Sequence, residues 1–502
     1  MSTSSDPERF FQIDHLETDV KGRSVRSGAI TIIGQGTKFL SQTAGTLILA
    51  RLLAPEDFGL IGMVAVVFHF IEPFKDLGLA AATVQRENIT HSQVSTLFWI
   101  NIGLSSAITL LTAVMAPVVA VFYDEPRVVP ITVFLAVALL LGGGSVQHRA
   151  LLRRQMKFGI VAAVDILSVV MGTVAAIISA YYGAGYWALV IWRLVQATTG
   201  LLGVWLSCWW RPGLPRLHSG ASSMVAFGAS IMGFRIINYF ARNTDNILIG
   251  RFQGAQALGV YSIAYRLLLM PIQQINIPIT NVAIPVLSRL QDNPKKFTNY
   301  YYKALLLIAS ISMPIIGFLF ADVDNLVRLF LGIKWIESIN IFKLLAPAAF
   351  VGTIKVCLGW AFISLGHVNR QLWQGLVSSL VTVAGFFVGV HWGVSGVATA
   401  YSITEPIVVL ASLTYCYQQT PMSLGGFFKH TRFPAISAIG ASSGIMGINY
   451  FFNFSINLGL NIFLDLLIYS ILYFTIWVII PGGKESLHVV VATSKSIRRR
   501  KS

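Results

Sequence analysis

The chain has 502 residues, of which 55% are hydrophobic and only 12% charged, with a mean hydropathy of +0.69 and a formal net charge of +16. Soluble domains carry charge on about a quarter of their residues, so this composition excludes a soluble protein of this length. The excess base does not imply nucleic acid, because membrane proteins collect Lys and Arg in cytoplasmic loops.

A helix needs about 20 apolar residues to cross the hydrocarbon core. Residues 1–27 mix acids and bases without an apolar run, which predicts a short cytoplasmic arm and no cleavable signal peptide. Apolar stretches then fall near 28–50, 58–82, 95–121, 128–147, 160–181, 185–207, 224–249, 258–284, 304–320, 340–365, 372–391, 394–416, 434–452 and 460–481. The expected fold class is an all-α polytopic membrane protein of about fourteen transmembrane helices. Cys208, Cys357 and Cys416 lie far apart, in or beside these runs, and read as small buried hydrophobes rather than disulfide or metal ligands.

With the N-terminus inside, 24 of the 37 Lys and Arg fall in inside segments, five in outside loops and eight within spans. This asymmetry predicts a multi-pass protein with both termini cytoplasmic. The longest outside loop, near 321–339, holds no soluble domain. Residues 482–502 form a basic tail, "ATSKSIRRRKS" at its end, facing anionic membrane lipid.

One stretch occurs twice. "TLILARLLAPEDFGLIG" (46–62) is echoed 200 residues later by "NILIGRFQGAQALGVYS" (246–262), so that Arg51 meets Arg251 and Gly59 meets Gly259. "SGAITIIG" (27–34) likewise aligns with "FGASIMGF" (227–234). The period contains six expected spans, an even number, so both copies enter from the same side. That predicts two six-helix lobes related by a pseudo-two-fold axis along the membrane normal. The expected organisation is an arm (1–27), an N-lobe (28–207), a cytoplasmic linker (208–223), a C-lobe (224–418), two further helices (419–481) and the tail (482–502). Arg51 and Arg251 read as structural: a cation near a helix C-terminus complements its dipole, and Gly59 and Gly259 would let the next helix start in a tight bend.

Eight cations fall within expected spans: Lys38, Lys75, Arg193, Arg235, Arg242, Arg266, Lys343 and Lys355. Each costs roughly 2.5–3.5 kcal/mol at a helix centre, so they must face water, a partner or the bundle interior. Arg235, Asn238, Arg242 and Asp245 recur at i, i+3, i+7 and i+10, one stripe along a helix. Shifted back by 200, the same register holds Gln35, Lys38 and Gln42. His69, Glu72 and Asp76 form a shorter stripe, and Arg266 heads another. These stripes are expected to line a water-accessible cationic cavity between the lobes, with Lys38, Arg193, Arg235, Arg242, Arg266, Gln35, Gln42 and Asn238 as substrate-binding candidates. The alternative is internal pairing, Arg242 with Asp245 and Lys75 with Asp76 or Glu72. Lys343 and Lys355 read as snorkelling from span ends.

The repeated "LILARLLAPEDFGLIGM" motif, "DLGLAAATVQRENITHSQVSTLFWIN" (76–101) and "RALLRRQMKF" (149–158) resemble the polysaccharide transporters of the multidrug/oligosaccharidyl-lipid/polysaccharide exporter superfamily. The similarity is to the Wzx-type flippases, in particular the colanic-acid-exporter-like group. The resemblance implies a non-enzymatic transporter in the bacterial inner membrane that moves an undecaprenyl-diphosphate-linked oligosaccharide from the cytoplasmic to the periplasmic leaflet by alternating access. It also implies no cofactor beyond H+ or Na+ coupling, and polysaccharide polymerase or co-polymerase proteins as partners. Glu72, Asp76 and Asp245 are the ion-coupling candidates, since a carboxylate near cations can trade a proton against substrate. Three other readings compete: a multidrug exporter, which favours an acidic or apolar cavity; a glycan polymerase or ligase, which needs a large catalytic outer loop; and a membrane scaffold without transport, whose stripes would be paired and dry.

Overall fold

The computed structural model describes residues 11, 20–75, 78–86, 89–215, 232–451 and 457–499, and every described element is helical. Nine segments among these residues are long and apolar enough to cross a membrane. One of them, Val368–Tyr417, takes in two of the expected spans, and another, Asn243–Arg289, takes in the expected span 258–284 with the last residues of 224–249. Large apolar side chains such as Leu110, Val121, Leu380 and Phe463 are exposed. An apolar exterior is what a lipid-facing bundle requires, because only closed backbone hydrogen bonding survives in hydrocarbon.

The chain divides into two compact units, Met1–Gly259 and Val260–Ser502. The first contains α1 (Val20–Leu52), α2 (Pro55–Ile71), α3 (Leu79–Gln85), α4 (His91–Tyr123), α5 (Val128–Arg154), α6 (Phe158–Tyr181), α7 (Trp187–Ser207) and the first part of α8 (Met232–Arg289). Helix α1 starts at Val20, so the last residues of the expected arm are helical. The expected second span is broken: α2 ends at Ile71, a 3-10 turn covers Glu72–Lys75, and Gly78 takes a left-handed φ of 73° before α3. The start of α4 is fixed reciprocally. Thr90 accepts from the Gln93 amide at 3.2 Å, and Gln93 accepts from the Thr90 amide at 3.0 Å.

Small residues sit where helices cross in this unit: a Cβ on Gly34 would lie 2.8 Å from the Ala162 Cβ, and one on Gly45 would lie 2.6 Å from Thr173 Cγ2. Phe11 is buried beside Phe98 and Trp210, and its carbonyl accepts from the Arg154 guanidinium at 3.2 Å. Arg154 also donates to the carbonyls of Thr83 and Arg86. It is 5% exposed, so a cation that the loop count assigns to topology is an internal clasp.

The second unit holds the rest of α8, then α9 (Pro294–Ala321), α10 (Val323–Phe330), α11 (Glu337–Gly352), α12 (Val356–Ser364), α13 (Val368–Gly389), α14 (Gly393–Tyr417), α15 (Leu424–Phe451), α16 (Leu458–Ile479) and α17 (Gly483–Arg499). The tail expected as a basic run is thus largely helical. Its core gathers Phe297, Tyr301, Trp360, Tyr417 and Trp477, with the Tyr301 and Tyr417 hydroxyls 3.0 Å apart.

Two expectations about cations change here. Lys343 pairs with Asp324 at 2.7 Å. Lys355 does not snorkel: it sits at the break between α11 and α12, and its Nζ donates to both oxygens of Glu405 on α14, at 2.8 and 3.1 Å. Glu405 is 3% exposed, and a buried carboxylate must be paired. Replacing Lys355 with Met is expected to destabilise the protein by about 3 kcal/mol or more, read as a lower melting temperature in detergent. The double variant Lys355→Met/Glu405→Gln should recover most of the loss.

Candidate functional site: a cationic cavity in the first unit

A cavity of about 460 Å³ opens among α1, α5, α6 and α7, with the 3-10 turn after α2 at its edge. Helix α5 contributes Ser145, Arg149 and Arg153 at i, i+4 and i+8, one face of the helix. Helix α7 contributes Arg193, Gln196 and Gly200 in the same manner, α6 contributes Asp165 and Ser168, α1 contributes Lys38, and the turn contributes Glu72. Gly200 leaves space for a guanidinium: a Cβ there would lie 3.1 Å from Arg149 Nη2.

The charges are organised around Asp165. Its Oδ1 accepts from Arg149 Nη1 at 2.5 Å, and its Oδ2 lies 3.8 Å from Lys38 Nζ. One carboxylate thus holds two cations. Arg153 and Arg193 are exposed on the cavity wall. Four cations face two carboxylates, which leaves an excess of two positive charges in a polar hollow. Arginine forks bind phosphate oxygens bidentately, so the chemistry of this wall suits a phosphorylated or otherwise anionic head group.

The structure brings together three of the expected site residues, Lys38, Glu72 and Arg193, and the cavity they line lies inside one unit. Gln35 and Gln42 are on α1 but not on its wall. Asp245 is 3% exposed, its Oδ1 accepting from the Asn246 amide at 2.8 Å, and it is also off the wall. Arg266 belongs to the second unit, where it is half-buried. The backbone of Arg235, Asn238 and Arg242 is helical within α8, while their side chains, and Asp76 altogether, lie outside the described residues.

Sequence reasoning passed over Arg149, Arg153 and Asp165 as binding groups. The signal was present, because Ser145, Arg149 and Arg153 share one helical face, but these arginines had been absorbed into the topology count.

The repeated motif has a structural role that differs from the expected bends. Arg51 is in the last turn of α1, and Arg251 is in the last turn before Gly254, where φ of 80° breaks α8. Both positions complement a helix C-terminus. Gly59 and Gly259, however, lie inside helices, and the two copies pack on each other. A Cβ on Gly59 would fall 1.7 Å from the Ala255 carbonyl oxygen, and one on Gly259 would fall 1.8 Å from the Pro55 carbonyl oxygen. The glycines are there to let two backbones touch.

Comparison with known proteins agrees with this architecture. A family model described as "Polysaccharide biosynthesis protein" matches residues 48–340. The lipopolysaccharide biosynthesis protein WzxC of Escherichia coli (strain K12) is 24% identical over 389 residues, covering 77% of this chain and 78% of that one. Among solved structures, the lipid II flippase MurJ in its inward closed conformation superposes with a TM-score of 0.70 at 14% identity, over 89% of this chain and 98% of that one. An inward-facing multidrug resistance MATE family transporter of the MOP superfamily superposes with a TM-score of 0.60 at 15% identity, over 75% and 94%. The fold is therefore that of MurJ- and MATE-like polytopic membrane transporters, and the chain belongs to the polysaccharide biosynthesis protein family.

Proposed function

We propose that the protein is a flippase that carries an undecaprenyl-diphosphate-linked oligosaccharide, a surface-glycan repeat unit, from the cytoplasmic to the periplasmic leaflet of the bacterial inner membrane. Both termini are cytoplasmic in this reading. The observation that carries it is the cavity with two excess positive charges. A diphosphate head cannot cross about 30 Å of hydrocarbon unaided, because its charges would lose their hydration. Arg153 and Arg193 take the phosphate oxygens, Gln196 and Ser145 offer hydrogen bonds to the head, and the polyprenyl tail stays in lipid. The cavity then faces one leaflet at a time, driven by H+ or Na+, and no covalent bond is made or broken. Polymerase and co-polymerase proteins take the repeat unit onward.

Transport of cationic drugs, which the MATE-like fold would also permit, is disfavoured by the same four cations. Deleting the gene in its host is expected to remove a surface glycan and to accumulate the lipid-linked repeat unit on the cytoplasmic side. A normal glycan together with increased drug sensitivity would sink the flippase reading.

A further inference from the structure

Helix α2 and the first part of α8 meet at two places. Near the start of α2, Gly59 and Gly259 bring the two backbones into contact. Toward its end the contact is made by one side chain. The Tyr239 hydroxyl of α8 donates to the Val66 carbonyl of α2, and its ring lies 5.6 Å from that of Phe70, tilted by 46°. Phe70 in turn meets Phe74 of the 3-10 turn edge-on, also at 5.6 Å. A file of three rings thus runs from α8, through the last turn of α2, into the turn at the cavity's edge.

The end of α2 is where support is needed. Its buried residues begin at Pro55 and end at Val66. Pro73 has no amide hydrogen for the His69 carbonyl, which stops the α-helical ladder. The 3-10 turn that takes over at Glu72 has poorer hydrogen-bond geometry. Phe70 and Phe74 are four residues apart and share a face, whereas Glu72, midway between them, falls on the far side. The rings therefore hold one side of the turn, and Glu72 lines the cavity from the other. Its carboxylate matters to the wall: with it the four cations exceed the acids by two, and without it by three.

We propose that Tyr239 is a positioning residue for the cavity. Through Phe70 and Phe74 it fixes Glu72 at the wall, so that α8 sets how much negative charge the cavity presents to an anionic ligand. The effect on a bound head group rests on the flippase reading above, whereas the placement of the turn does not.

Hydrogen exchange and calorimetry on the purified full chain in detergent test this, with inorganic diphosphate as the probe. Tyr239→Phe keeps the ring and loses only the hydroxyl. It is expected to speed exchange of the amides between 67 and 75 by about two- to tenfold, the equivalent of one hydrogen bond, and to leave those of α6 unchanged. It should also tighten diphosphate binding by about twofold or more, because Glu72 is released from a wall that attracts the same anion. Glu72→Gln should tighten binding further, and in that background Tyr239→Phe should change nothing more. Phe70→Leu breaks the file from the α2 side and should reproduce both effects, which keeps the test available if Tyr239→Phe misfolds. Unchanged exchange between 67 and 75 in a folded variant overturns the proposal. A change in diphosphate binding that survives in the Glu72→Gln background overturns it equally. A wild-type chain that binds no diphosphate counts against the flippase reading instead, and the exchange result alone then decides whether Tyr239 holds the turn.

Discussion

Alanine at Gly59 or at Gly259 is expected to reduce the yield of folded protein by about tenfold or more, measured as the monodisperse fraction after detergent extraction. The added Cβ would meet a backbone oxygen at 1.7 or 1.8 Å. Carbon contacts are favourable only beyond about 3.5 Å, so the helices would have to part by well over 1 Å. A carbonyl cannot rotate away as a side chain can, and separating the helices forfeits packing along the whole crossing. Overpacking typically costs about 1–3 kcal/mol, and more where the backbone must move. Gly103 on α4 supplies the control, since a Cβ there meets nothing within 4 Å. Alanine at Gly103 should fold as well as wild type or better. Equal yields for Gly59→Ala and Gly103→Ala would refute the backbone-contact account.

Removing either wall arginine is the second large effect. Arg193→Ala and Arg153→Ala are each expected to cut export of the surface glycan by about 10- to 100-fold, the equivalent of losing one charge-assisted hydrogen bond. Protein level should be unchanged, because both side chains are exposed on the cavity wall. Arg193→Lys keeps the charge but not the fork, so it should recover only part of the activity. Full export by both alanine variants would remove the cavity from the transport path.

Most of the helical architecture could be read from composition alone, because about 20 consecutive apolar residues have few alternatives to a spanning helix. The full break between α2 and α3 is hidden in an average over 58–82, which smooths across Glu72, Pro73, Lys75 and the left-handed Gly78. The pairing of Lys355 with Glu405, 50 residues apart, has no local signature. The cavity was legible in part. Lys38, Glu72 and Arg193 stand out as charges in apolar surroundings, whereas Arg149 and Arg153 lie near a helix end, where basic residues also serve topology. Which stripes converge depends on the tertiary register of four helices, and no spacing within one helix encodes that. The 200-residue echo marked Gly59 and Gly259 as special without revealing that they meet.

Asp165 gives the cavity a built-in rival. Its carboxylate occupies Arg149 and Lys38, so in the flippase reading proposed above an incoming phosphate meets two cations already engaged. A head group must therefore displace part of the protein itself, and that exchange lowers affinity without lowering the charge that attracts it. A carrier has to release what it binds, and Asp165 stands ready to reclaim its partners when the load departs. If the protein works as proposed above, dwell time rather than capture is the quantity this residue would set.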